Sequence, residues 1–152
     1  MVTVGTRAPD FELKDEEGKK VRLSDYNGRP VLIAFFPFAF SPVCTAEMCS
    51  FRDELDKFSE AGVQIIGISV DSTWGLKAWK EKLGLSFPLL SDFSKDLARR
   101  YGVLRAEGFA DRSYFLVGAD GMVKYKQIMP NPGMKLENEK IFSNIEKLWM
   151  GI

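Results

Sequence analysis

Val31-Leu32-Ile33-Ala34-Phe35-Phe36-Pro37-Phe38-Ala39-Phe40-Ser41-Pro42-Val43-Cys44 is the stretch that decides the fold. Its first six residues are apolar without a break, the pattern of a strand covered on both faces. Pro37 ends that strand. Ser41 is a favoured helix N-cap and Pro42 a favoured first helical residue, so a helix opens there. Cys44 falls in its first turn. Unpaired backbone N–H groups and the helix dipole stabilise an anion at that place. A thiol so placed is enriched in the thiolate, the form that attacks. The same N–H groups can hold an oxygen on which negative charge develops.

Upstream, Phe11 and Leu13 alternate with polar residues, as do Val21 and Leu23, across the charged turn Asp15-Glu16-Glu17-Gly18-Lys19. This is a short hairpin. Asn27-Gly28-Arg29-Pro30 is a turn into the buried strand. Downstream, residues 43 to 60 follow helical spacing, with Phe51, Leu55 and Phe58 on one side and Gly62 past the end. Val63 to Val70 is a second buried strand. Thr73 to Leu83 is a helix stopped by Gly84, and Lys95 to Tyr101 another, stopped by Gly102. Tyr114 to Val117 and Met122 to Ile128 flank Ala119-Asp120-Gly121, a hairpin turn. Leu136 to Met150 is a terminal helix with Ile141, Ile145 and Leu148 along one side. Early strands separated by a helix pair in parallel through a right-handed crossover, and the late hairpin adds an antiparallel part. The expected architecture is α/β and thioredoxin-like: a mixed central sheet, helices on both faces and an N-terminal β-hairpin.

Composition narrows the function. The 152 residues, 45% of them hydrophobic, fit one domain over residues 1–152 with a real core. Twenty-one basic residues balance twenty-one acidic ones, so no strong field favours nucleic acid or an anionic membrane. No secretion signal and no bilayer-spanning run is visible, and a cytoplasmic protein is expected. There are two cysteines and no histidine. That is too few ligands for a structural zinc site, and it removes the general base of His-dependent hydrolases. In a reducing compartment a fixed structural disulfide is also disfavoured. Quiet packing and histidine-free redox chemistry both stay open for Cys44 and Cys49.

The spacing Pro37-x-x-x-Ser41-x-x-Cys44 resembles the signature of the peroxiredoxins: proline, three residues, Thr or Ser, two residues, the peroxide-attacking Cys. Phe35-Phe36 before it and Thr45, Glu47, Phe51 and Arg52 after it fit the same family. So do Ile68-Ser69-Val70-Asp71, Phe87-Pro88-Leu89-Leu90-Ser91-Asp92, Tyr101-Gly102-Val103 and Arg112-Ser113-Tyr114-Phe115. Residues 35 to 44 look closest to the E-type alkyl hydroperoxide reductases. The Cys-x-x-x-x-Cys spacing looks like the Q-type, or bacterioferritin-comigratory, members.

The resemblance implies a cofactor-free thiol peroxidase acting on hydrogen peroxide and organic hydroperoxides. Cys44 would attack the peroxide and become a sulfenic acid. Ser41 would hydrogen-bond peroxide or thiolate, Pro37 would shield Cys44, Arg112 would stabilise the thiolate, and Glu47 would orient Arg112. The partners implied are a peroxide and a thiol reductant such as a thioredoxin- or glutaredoxin-like protein, with no nucleic acid and no membrane. The protein would be a monomer or homodimer. Phe38, Phe40 and Phe109 could form a dimer contact or wall a pocket.

Cys49 would resolve the sulfenic acid as an intramolecular disulfide; otherwise it packs and an external thiol resolves. Five residues along a helix separate two Cα atoms by about 8–9 Å, whereas a disulfide wants less than about 7 Å. Resolution by Cys49 therefore requires the first turns to unwind. Two other readings compete. A thioredoxin-like disulfide reductase would want Cys-x-x-Cys, and a non-catalytic binding module would leave both cysteines silent.

Overall fold

The computed structural model describes residues 2–149. Seven strands form one mixed sheet in the order β2-β1-β5-β4-β3-β6-β7. In chain order these are β1 (Glu12–Asp15), β2 (Lys20–Arg22), β3 (Val31–Phe35), β4 (Gln64–Ser69), β5 (Leu89–Ser91), β6 (Ser113–Val117) and β7 (Val123–Ile128). The helices are α1 (Pro42–Asp53), α2 (Leu55–Glu60), α3 (Thr73–Leu83), α4 (Asp96–Arg100) and α5 (Asn138–Trp149). Strand β3 pairs in parallel with β4 and antiparallel with β6, so it lies at the centre. All five of its residues are buried.

Its continuous apolar run divides by strand periodicity. Leu32, Ala34 and Phe36 face a core shared with Met48, Phe51, Phe58, Leu76, Trp79, Ile141 and Ile145, that is, with α1, α2, α3 and α5. Val31, Ile33 and Phe35 face the other core, closed by Phe11, Leu97, Ala98, Tyr101 and Phe115. Helices thus cover both faces of the sheet, which is the thioredoxin-like arrangement expected.

The differences from the sequence reading have local causes. The helix read over residues 43 to 60 is two helices, broken at Glu54, whose φ of −113° and ψ of 18° leave the helical region. The spacing of Phe51, Leu55 and Phe58 survives the break, so periodicity alone does not reveal it. Strand β5 has no sequence signal: three residues between Pro88 and a turn are too short to show a period. Lys95, read as helical, takes a left-handed φ of 68° as the N-cap of α4. Asp92 supplies the cap there, its carboxylate accepting from Leu97 N–H at 3.0 Å and Ala98 N–H at 2.7 Å. Helix α3 ends as read, with Gly84 left-handed at φ 68°, a conformation that spares glycine the Cβ clash. The terminal helix begins at Asn138 rather than Leu136, and Met150 lies outside the described residues. No helix of the described residues is long and apolar enough to cross a membrane.

Candidate active site

Cys44 stands where β3 hands over to α1. Phe36, Pro37 and the loop through Ser41 carry the chain from the sheet end to the helix start. Ser41 is the N-cap, with extended backbone (φ −72°, ψ 150°), and its carbonyl accepts from Thr45 N–H at 2.9 Å. Its hydroxyl does not cap the helix and donates instead to the Phe38 carbonyl at 3.0 Å. The hydroxyl is thus engaged neither with the sulfur nor as a side-chain cap, and the expected bond to a peroxide belongs to the substrate-bound site. The reason is local: Phe40 takes a left-handed φ of 69°, and the tight turn brings the Phe38 carbonyl to Ser41. The first-turn N–H groups of Val43 and Cys44 are therefore left without a side-chain cap.

The loop is pinned from the next strand. Asp71 Oδ2 accepts from Ala39 N–H at 2.8 Å and from the Ser69 hydroxyl at 2.7 Å. Ser91 Oγ in turn donates to the Asp71 carbonyl at 2.6 Å. A left-handed bulky residue is strained by roughly 1–3 kcal/mol and persists only where its surroundings hold it. At Phe40 the hold is this clamp on Ala39, together with ring contact to Trp79 (centroids 6.3 Å apart) and Lys82 Nζ 5.7 Å from the ring centre.

Arg112 precedes β6, and its guanidinium is spent in three directions. Nη2 donates to Cys44 Sγ at 2.9 Å, Nη1 to Glu47 Oε1 at 2.9 Å, and Nε to the Pro132 carbonyl at 3.1 Å. Cys44 is fully buried, and Arg112 and Glu47 are each 1% exposed. The structure thus brings Cys44, Arg112 and Glu47 into one hydrogen-bonded cluster. Glu47 lies three residues after Cys44 on α1, so the two share a helix face. Burial pushes the Glu47 carboxyl above its ordinary value of 4.5, against the opposing pull of Arg112 and Tyr114. Burial works against the charged guanidinium of Arg112, but Glu47 and Cys44 outweigh it and hold its proton more tightly than usual. A permanently charged guanidinium within hydrogen-bond distance of sulfur is a strong donor in a poorly screened place.

A cavity of 210 Å³ opens over this cluster, lined by Pro37, Ser41, Pro42, Val43, Phe109, Arg112, Pro132 and Gly133. Pro37 is buried in its wall, and Phe109 meets Phe38 in a tilted ring contact with centroids 5.1 Å apart. A larger cavity of 380 Å³ sits at the opposite end of β3, beside Arg7, Arg29 and Val31, and has no cysteine. Cys49 lies on α1, half-buried against the core, and both cysteines are free thiols.

Tyr114 and Asp71 stand in stretches that resemble the family, but the sequence assigned neither of them a role. Tyr114, fully buried, donates to Glu47 Oε2 and accepts from Leu136 N–H at 3.0 Å. Its place two residues after Arg112, on the same side of an extended strand, was the available signal. For Asp71 the signals were its position at the end of a buried strand and its place in the stretch Ile68-Ser69-Val70-Asp71.

An α/β protein of thioredoxin-like fold whose buried cysteine is paired with an arginine at a helix N-terminus defines a class, the thiol-based redox enzymes. The AhpC/TSA family model matches residues 4–126. The chain is 38% identical over 128 residues to "Peroxiredoxin Bcp" of Escherichia coli strain K12, covering 80% of this chain and 82% of that one. It is 39% identical over 127 residues to "Peroxiredoxin Q, chloroplastic" of Oryza sativa subsp. japonica, covering 82% of this chain and 58% of that one. Among solved structures, "Peroxidoxin BcpB" from Mycobacterium tuberculosis superposes with a TM-score of 0.88 at 28% identity, over 97% of this chain and 99% of that one. The reduced 2-Cys peroxiredoxin of Plasmodium vivax gives a TM-score of 0.91 at 28% identity, over 99% and 83%. The chain belongs to the AhpC/TSA family, the peroxiredoxins. It is an enzyme, a thiol-dependent peroxidase, whose substrate is a peroxide and whose electrons come from a thiol.

Proposed function

We propose that Cys44 is the peroxide-attacking nucleophile, and the 2.9 Å contact between its sulfur and Arg112 Nη2 carries the reading. The thiolate attacks the terminal oxygen of R–O–O–H. The S–O bond forms as the O–O bond breaks, and the departing oxygen takes the peroxide's proton. The products are the Cys44 sulfenate and an alcohol, or water when the substrate is hydrogen peroxide. Arg112 holds the attacking sulfur and steadies the transferring oxygen, and the uncapped N–H groups of Val43 and Cys44 are donors for that oxygen. Glu47 orients Arg112. Pro37 shields the sulfur from water, and Ser41 holds the turn that presents the first helical amides. The largely apolar wall of the cavity, with Pro37, Val43, Phe109 and Pro132, suits organic hydroperoxides as well as hydrogen peroxide.

Cys49 then attacks the sulfenic acid, giving a disulfide and water, and a dithiol protein of thioredoxin or glutaredoxin type restores both thiols. Because both cysteines lie on α1, this step needs the helix start to open. A second reading rests on the packing of Cys49 against the core, which suits an external thiol as resolver. We place the protein in the cytoplasm, where thiol systems keep such cysteines reduced. The test is peroxide consumption with dithiothreitol by wild type and Cys44→Ser. Loss of all activity with an unchanged fold is expected; substantial residual activity would refute the assignment.

A further inference from the structure

One buried titratable group in the cluster has no part in the chemistry above, the phenol of Tyr114. Its ring lies in the core cluster that also holds Leu32, Phe36 and Met48, and across the sheet Tyr114 stands opposite Ala34. Its hydroxyl spans two partners of different kinds. It donates to Glu47 Oε2 and accepts from Leu136 N–H at 3.0 Å. Glu47 Oε1 receives Arg112 Nη1 at 2.9 Å, and Arg112 Nε donates to the Pro132 carbonyl at 3.1 Å. The contacts close a circuit: Cys44 to Arg112, Arg112 to Glu47, Glu47 to Tyr114, Tyr114 to Leu136, and through residues 132–136 back to Arg112.

We propose that Tyr114 is a positioning residue of the peroxidase site, fixing the plane of the Glu47 carboxylate so that Arg112 is aimed at Cys44, and seating residues 132–136 over that ion pair. The inference rests on the role given to Cys44 and Arg112 above.

A carboxylate held by one oxygen can still rotate about its last bond; held by both, it cannot. Arg112 holds Oε1 and Tyr114 holds Oε2, and only this combination makes Glu47 a rigid support. A phenylalanine would fill the same volume but leave a buried carboxylate oxygen and the Leu136 N–H without partners, which a folded interior tolerates poorly. Serine or threonine is too short to reach from β6 to α1 and to the chain before α5 at once. Tyrosine supplies both a donor and an acceptor at the end of a rigid ring.

The charged and titratable groups facing Glu47 are Arg112 and Tyr114 from the β6 side, Cys44 one turn back on α1, and Lys135 from the segment before α5. Arg112, Tyr114 and Lys135 favour the ionised carboxylate, and burial opposes it. Removing the phenol donor lets Glu47 keep its proton to higher pH, where it no longer anchors Arg112 as an ion pair.

The experiment is a double-mutant cycle on the full chain: wild type, Tyr114→Phe, Glu47→Gln and the double variant, with Cys44→Ser as control. The rate of cysteine oxidation by hydrogen peroxide is read by stopped flow across the acid and neutral range. Tyr114→Phe should lose rate on the order of tenfold, the worth of one hydrogen bond to a charged group. Its acid limb should move to higher pH, and in the Glu47→Gln background it should cost nothing further. An unchanged rate and profile, or losses that multiply in the double variant, would reduce Tyr114 to packing. If Tyr114→Phe does not fold, a fluorinated tyrosine at the same position keeps the ring and strengthens the donor. The acid limb should then move to lower pH, and an unmoved limb overturns the proposal. Activity remaining in Cys44→Ser would instead refute the underlying assignment of the nucleophile.

Discussion

Arg112 Nη2 donates to Cys44 Sγ at 2.9 Å across 68 residues of chain, with both side chains removed from solvent. The contact joins the start of a strand to the start of a helix, so it exists only in the folded sheet. Arg112 uses all three of its nitrogens at once, on sulfur, carboxylate and carbonyl. Lysine carries its donors on a single nitrogen and lacks the planar fork that spreads them over these three acceptors. Arg112→Lys should therefore fail nearly as badly as Arg112→Ala. Each should slow peroxide attack by on the order of 10²–10³, the usual loss for one preorganised donor. Single-turnover oxidation measured by intrinsic fluorescence checks this, and a lysine variant with wild-type rate would contradict it.

Glu47 carries the pH dependence. Burial raises its folded value above the ordinary 4.5, so the protonated form is the one favoured by folding. Its contribution to stability is full below that ordinary value and is lost as pH rises through the folded value. Function runs the other way, since losing the carboxylate charge weakens the hold on Arg112. The acid limb of the peroxide rate should lie above the ordinary carboxylate range, and Glu47→Gln should remove that inflection while lowering the neutral-pH rate. Paired pH–rate and pH–urea profiles of the two proteins read both signs.

Asp71 touches no reacting atom, yet it holds Ala39 N–H beside the left-handed Phe40. Asp71→Ala leaves that strained turn without its clamp, at a cost of about 1–3 kcal/mol for the unsatisfied amide. The start of α1 should then exchange its amides faster, and the peroxide rate should fall by roughly tenfold for each 1.4 kcal/mol of loop opening that removes the reactive form. Hydrogen exchange over residues 38–46 makes the comparison; protection equal to wild type would show that the clamp is dispensable.

An apolar run and a capping pair made the place of Cys44 legible, whereas the roles of Arg112, Glu47, Ser41 and Pro37 were implied by the family resemblance. The unbroken run Val31–Phe36 announced the central strand, and Ser41-Pro42 announced the helix start that places Cys44. Glu47 follows Cys44 by three residues and Tyr114 follows Arg112 by two, so each pair shares a face by the geometry of its own element. Nothing local could say that the helix face and the strand face meet, because that is decided by how α1 packs on the sheet. The break at Glu54 and the short β5 were hidden for the opposite reason: tertiary contacts impose them on segments with no clear signal. The hydroxyl of Ser41 turned to Phe38 because of a left-handed phenylalanine, a conformation that no propensity foresees.

Cys49 tests whether α1 opens in the catalytic cycle. Thr45 and Ser50 are weaker helix formers than alanine or leucine, which favours a local opening far cheaper than global unfolding. After one equivalent of peroxide, wild type should lose about two daltons as a disulfide and gain amide exchange over residues 41–50. Cys49→Ser should stop at the sulfenic acid and over-oxidise more readily. Wild type that accumulates sulfenic acid and waits for an external thiol would make Cys49 a packing residue.

The central claim is that peroxide oxygen is transferred to the sulfur of Cys44. Its most direct measurement is peptide-level mass spectrometry of Cys49→Ser after one equivalent of hydrogen peroxide, with a sulfenic-acid trap present. A single adduct is expected on Cys44, on the order of one per chain, and none when Cys44→Ser is added to the same protein. An adduct absent from Cys44 while peroxide is still consumed would contradict it.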